Sequence, residues 1–538
     1  MKIYVIALLL FLPIHLFAGF MQVNRYNVSC ESNNATMIAT IDVAIEDLLE
    51  NELSVYIDNK IYTLPLLYME NRGNNDYGVI FQNDSIMVSV SVYQNQVSGM
   101  IKKNGFHYSI ERDSTGSLYL FEIDMCSVSD ANETLEPPQY NKSRESQIYN
   151  TQDTIVRVAV FYTSNISTSF KQNIVSHVNQ TILQSNASFM NSSIGAQLEL
   201  VYLGETSYAS INFDDDLANF TLANDEHMNE VHHIREAYAA DVCVLLTASS
   251  GFCGLGWISA DYDYAFCAVQ ASTSCLDQYS FVHEIGHIVG CDHDEYIVQN
   301  TTPAYAHGYV HLDGGNSWRT IMAYDNLCDD SSCRCDRIPY WSNPDVTYNG
   351  IATGNNKANN ARIWNERVNT VSNFFHFPSA LLLTETLLNN SNYAYARAID
   401  SISTKGDCII DRGTQVKMQV TERVVLKPGF HAKAGSNLHV KIETPTANIA
   451  SAPQRVAPTT PSDDTNSTDE VVTNNGLEST ENEVIVSTSI YTISGQLIQT
   501  ISSGQHDATH LPNGMYILQH RMSDGSMRSE KIANVNYY

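Results

Sequence analysis

His283-Glu284-Ile285-Gly286-His287-Ile288-Val289-Gly290-Cys291-Asp292-His293 is the stretch on which the reading of this 538-residue chain turns. Residues four apart in a helix share a face, so His283 and His287 can grip one cation. Glu284 lies about 100° round the helix from His283, beside such an ion, where a carboxylate can take a proton from water. Gly290 has no Cβ. It can adopt positive φ, end the helix and turn the chain so that His293 folds back toward the other two imidazoles. Three neutral imidazoles leave a fourth position open, which is the catalytic rather than the structural arrangement of Zn²⁺, and the ion then lowers the pKa of a water to about 7. Phe281, Val282, Ile285, Ile288 and Val289 supply an apolar side for the helix to bury.

Outward from this helix, strands alternate with helical stretches. Ile155–Tyr162, Leu198–Leu203 and Val242–Leu246 read as strands; residues from about 168 to 190, 224 to 239 and 359 to 375 carry helical spacing. That alternation implies an α/β domain with a mixed twisted sheet over 151–378. Residues 19–150 read differently, as strands such as Ile86–Tyr93 and Leu118–Ile123 broken by Asn, Gly and Asp turns. After the α/β domain come a small β unit at 379–443, a Thr/Ser/Pro/Asp-rich linker at 444–482 too polar to order itself, and a β-sandwich at 483–538. The expected architecture is multidomain, with a β-rich leading domain, one α/β domain and two small all-β modules.

Residues 1–18 combine Lys2, an apolar run and a small-residue break at Ala18-Gly19, the features of a secretory signal peptide. No later run of about 18 apolar residues predicts a transmembrane helix. Lys+Arg 30 against Asp+Glu 59 gives a net charge of −29, which argues against a phosphate backbone or anionic lipid as partner. Eight of the 11 cysteines lie between Cys243 and Cys335, and in an exported chain they are expected to staple one domain with disulfides. Glu226, Glu230 and Asp214-Asp215-Asp216 are candidate Ca²⁺ ligands, although without EF-hand spacing a solvated acidic face is the simpler reading.

H-E-x-x-H-x-x-G-x-x-H is the signature that the chain shares with the metzincin zinc endopeptidases, and it resembles them over roughly 154–377. The resemblance implies zinc held by His283, His287 and His293, and Glu284 as general base and then acid. Thr320-Ile321-Met322-Ala323-Tyr324 is similar to the Met-turn, placing Met322 beneath the imidazoles. Gly254-Leu255-Gly256-Trp257-Ile258 matches the edge strand before the site. Asp294 after His293 resembles the reprolysin (adamalysin) branch, whereas Tyr324 resembles peptidyl-Asp metalloendopeptidases and others. Tyr324 is therefore either a zinc ligand or oxyanion donor, or a packed ring. The leading β domain takes the place of an inhibitory propeptide, so a zymogen is implied. Asp124-Met125-Cys126-Ser127-Val128 resembles the propeptide segment whose thiolate blocks zinc; Cys126 is either that latency switch or a disulfide partner of Cys30. Residues 489–532 resemble a type IX secretion sorting domain, which implies the secretion machinery as a partner and an extracellular or cell-surface destination for a Bacteroidetes-type Gram-negative bacterium.

The function expected from these residues is that of a secreted, monomeric zinc endopeptidase acting on internal bonds of extracellular proteins. The competing expectation is a non-catalytic surface adhesin using a metalloprotease-like domain. Retention of Glu284 and all three histidines favours the enzyme. Arg334 and Arg337, in the loop after the Met-turn, permit an acidic preference, although solvent exposure is the simpler expectation for both.

Overall fold

The computed structural model describes residues 19–123 with short breaks, 134–135, 154–445 apart from 224, 314–315 and 329–334, and strands between 485 and 534. The expected signal segment, Cys30, Cys126, Cys333, Arg334 and residues 446–482 of the linker lie outside them. The described chain divides into two compact units, one up to residue 123 and one from 134 onward.

Period-two alternation dominates the first unit, and its strands pair mostly with their sequence neighbours in an antiparallel meander. Gly19–Arg25 pairs with Ala35–Val43 on one side and, in parallel, with Glu52–Ile57 on the other. The sheet thereby closes on itself and leaves almost no open edge. Val55, Val79, Phe81, Val88, Val90 and Ile101 fill one core.

In the second unit Thr154–Tyr162 lies between Ala196–Glu205 and Val242–Thr247, parallel to both, with Phe266–Gln270 beyond. These apolar strands are covered on both faces, as parallel strands require. Gly254–Trp257 then runs antiparallel to Phe266–Gln270, and Thr134–Leu135 pairs in parallel with it. Ala159, Phe161, Cys243, Leu245, Leu255, Phe266 and Ala268 share one core with the helices Phe213–Thr221 and Asn229–Ala237. The helical spacing from residue 168 resolves into Thr168–Gln172 and Ile174–Asn191, and the last helix is Asn360–Val371. Phe213–Thr221 was hidden in the sequence by its aspartates. They sit in its first turn, where Asn212 caps Asp215 N–H and acidic groups suit the helix dipole.

Residues 380–442 wind into a short parallel solenoid in which strand residues pair with ones 21 or 22 further on: Ala380 with Ser401, Tyr393 with Gln415, Gln415 with Asn437, Ser401 with Arg423, and Ile409 with His431. One of its faces continues the peptidase sheet, because Ser391–Ala398 pairs antiparallel with Ala196–Glu205. Met418, Val420, Ile402 and Ile410 enter the same core as Phe161 and Tyr202. The strands between Ile485 and Asn534 form a four-stranded antiparallel sheet.

Among the described residues two disulfides form, Cys253–Cys275 and Cys328–Cys335, while Cys243, Cys267, Cys291 and Cys408 are buried free thiols. The expectation that the whole cluster would staple the domain is therefore corrected. Cys267 pairs with Val244 in the sheet, not with Cys243, and the pleat sends the two thiols to opposite faces.

Candidate active site

The helix Ser280–Val289 is buried along its whole length. It ends where Gly290 takes φ +111°, a conformation suited to glycine, and Cys291 N–H closes back on Gly286 O at 2.9 Å. The turn after Gly254–Trp257 bonds two of the end carbonyls: Ser259 N–H donates to His287 O at 2.8 Å and Ala260 N–H to Ile288 O at 3.0 Å. A side chain at Gly290 would meet Ser259 Oγ at 2.9 Å.

This turn brings His293 onto the other two imidazoles. The three Nε2 atoms stand 3.1 Å apart for His283 and His287, 3.0 Å for His287 and His293, and 3.3 Å for His283 and His293. A tetrahedral zinc with Zn–N bonds of about 2.0–2.1 Å needs nitrogen separations of about 3.3 Å, so the donor set fits. Among the described residues no other group of three or more His, Cys, Asp or Glu side chains is close enough to share an ion. His283 Nδ1 lies 2.8 Å from Ile321 O and His287 Nδ1 2.9 Å from Cys291 O. Protons on those Nδ1 atoms leave the Nε2 lone pairs aimed at the ion. Burial holds all three imidazoles neutral, pushing His287 down to about 4 and His283 and His293 well below the ordinary value.

Glu284 is 4% exposed and projects toward Gly254 and Gly256 of the neighbouring strand. Met322 is fully buried and its Sδ packs against Gly286, next to His287, where a Cβ would come within 2.8 Å of it. Gly308 likewise leaves room for Ala323 N, 2.6 Å from where its Cβ would stand. Tyr324 lays its ring against His293, centroids 4.1 Å apart, and 6.1 Å from His283. Asp294 joins the two halves of the site, its Oδ2 accepting Tyr324 N–H at 2.9 Å.

Arg337 is 2% exposed, and the expectation of a solvated side chain is corrected. Its guanidinium donates to Gln278 O at 2.9 Å and to Ala323 O at 3.3 Å, tying the start of the zinc helix to the Met-turn. Arg319 donates to the same Ala323 O at 2.7 Å. His307 was not singled out for any role from the sequence, yet its Nδ1 lies 3.0 Å from His293 O, behind the third ligand. Only long-range folding brings it there; its spacing carries no signal. Asp216, a candidate calcium ligand, instead accepts hydrogen bonds from Tyr208 OH, Ile211 N–H, Thr247 Oγ1 and Ser249 Oγ, and is a structural carboxylate.

Residues 152–342 match the metallo-peptidase family M12. The peptidyl-Asp metalloendopeptidase of Xanthomonas campestris pv. campestris is 35% identical over 292 residues, covering 52% of this chain and 67% of that protein. That of Pseudomonas fragi is 34% identical over 167 residues, 31% of this chain and 85% of that protein. This chain belongs to metallo-peptidase family M12. As a family M12 member it is a zinc metalloendopeptidase, and peptides are its substrates. A Stenotrophomonas maltophilia peptidyl-Asp metalloendopeptidase is similar to it as well, 36% identical over 281 residues covering 50% of this chain and 66% of that protein. The chain thus spans about two thirds of the length of the Xanthomonas and Stenotrophomonas relatives.

Proposed function

We propose that this chain is an exported zymogen of a zinc endopeptidase that hydrolyses peptide bonds next to aspartate in extracellular proteins. The observation carrying the catalytic reading is the convergence of the three Nε2 atoms within 3.0–3.3 Å beside a buried carboxylate. Zinc held there supplies Lewis acidity, polarising the scissile carbonyl and lowering the pKa of water. Glu284 takes the proton from that water and returns it to the leaving amine. The Gly254–Trp257 strand offers main-chain groups to an extended substrate, with the Met-turn and the segment after it opposite.

Tyr324 donates its phenol to the developing oxyanion in this reading. Tyr324→Phe keeps the ring packing against His293 and is expected to lower kcat by about 10²-fold, the usual loss for one such donor, with KM little changed. Steady-state kinetics on a quenched-fluorescent peptide read the loss; a kcat within twofold of wild type would leave Tyr324 as a packing residue.

The preference for aspartate is supported by the similarity to the peptidyl-Asp metalloendopeptidases. Latency is supported by Thr134–Leu135, which occupies the outer side of the Gly254–Trp257 strand where an extended substrate would pair. Export is supported by the leader at 1–18 and by the likeness of 489–532 to a type IX sorting domain, and the enzyme works as a monomer. Ca²⁺ finds no support in Asp216, whose carboxylate is taken up by protein donors. Digestion of a proteome, with mass spectrometry of the new termini and a chelator control, tests the reading; cleavage indifferent to aspartate would remove the specificity, and cleavage that survives chelation would remove the mechanism.

A further inference from the structure

Gly254 and Gly256 sit two residues apart, so the pleat turns their missing side chains to the same face of the strand, opposite to Leu255, which is buried in the far core. Neither glycine has positive φ, so backbone conformation does not call for glycine at either position. Space does. A Cβ on Gly254 would stand 2.4 Å from Glu284 Oε1 and 2.7 Å from its Cδ; one on Gly256 would stand 3.1 Å from Oε2. Each carboxylate oxygen thus rests over one bare Cα.

We infer that Gly254 and Gly256 are positioning residues, a notch in the edge strand that sets the location of the Glu284 carboxylate. The inference rests on the proposed role of Glu284 as the proton carrier. A proton transfer runs within hydrogen-bond reach, and a displacement of about 1 Å can cost about 10²-fold in rate. A methyl group at 254 occupies the place of Oε1 and forces such a displacement, because the carboxylate is walled in by the strand and only 4% exposed. The notch is held in register with the zinc helix by two anchors. Cys253, next to Gly254, is bridged to Cys275, and Ser259 N–H bonds His287 O.

The test is a double-mutant cycle on the zinc-loaded, activated enzyme, with kcat, KM and zinc content measured for each variant. Gly254→Ala is expected to lower kcat by about 10²-fold, with KM and zinc content within about twofold of wild type. Gly256→Ala, whose methyl meets Oε2 less closely, should lose less. In a Glu284→Ala background the atoms that the added methyl meets, Oε1, Cδ and Cγ, are gone, so Gly254→Ala should cost under about threefold of the residual kcat there. A wild-type kcat in Gly254→Ala, or an equal loss in both backgrounds, overturns the inference. A larger loss from Gly256→Ala than from Gly254→Ala does so too; if Gly254→Ala does not fold, a wild-type kcat in Gly256→Ala, or an equal loss from it in both backgrounds, overturns the inference. Absence of chelator-sensitive cleavage by the wild-type enzyme is a different failure, that of the catalytic reading itself.

Discussion

Glu284→Ala is expected to leave the zinc content of the enzyme unchanged while kcat falls by about 10²- to 10⁴-fold, the range for a lost general base. The two properties separate because the metal is held by the three Nε2 atoms, whose Nδ1 contacts at Ile321 O and Cys291 O do not involve Glu284. The side chain also lies between the zinc helix and the glycines of the edge strand, so its removal opens space there without breaking the helix. Metal analysis and single-turnover kinetics on one preparation check both halves. Full zinc with wild-type turnover would remove Glu284 from the chemistry.

His293→Ala is expected to abolish stable zinc binding and, with it, all measurable cleavage. Two imidazoles on one helix face cannot complete a tetrahedral site. His293 is the ligand that the Gly290 turn delivers, and it is 1% exposed, so no solvent-side group stands ready to replace it. Metal titration followed by calorimetry should show zinc raising the unfolding temperature of the wild type and leaving that of His293→Ala unmoved, since an ion stabilises a fold only by binding it. A zinc-dependent shift in the variant would show that His293 is dispensable as a ligand.

The zinc helix, its ligands and its glycine stop were legible in the sequence because each follows from spacing within a single turn or two of chain. Thr154–Tyr162 and Val242–Thr247 were legible because a strand covered on both faces is written as an apolar run. What stayed hidden depends on residues far apart. His307 behind His293, Arg337 between Gln278 and Ala323, and the Gly254–Gly256 notch all belong to contacts that no local pattern encodes. The cysteines misled for the same reason, since clustering in sequence placed Cys243 and Cys267 on opposite faces of one sheet. The solenoid was legible only in part: 22-residue matches such as Gly413 with Gly435, Val416 with Leu438 and Val420 with Ile442 are present, but backbone register is what winds them together.

Fusion of that solenoid to the peptidase sheet limits where the molecule can be trimmed. A cut just after Val371 would strip away Ser391–Ala398 and the two strands beyond it, baring the backbone of Tyr202–Gly204 and the apolar wall formed by Phe161 and Tyr202. An unprotected strand of that kind recruits other chains and aggregates. C-terminal shortening that spares the sheet must therefore fall beyond Ile442, and the wound strands serve as a permanent selvage to the sheet rather than as detachable cargo.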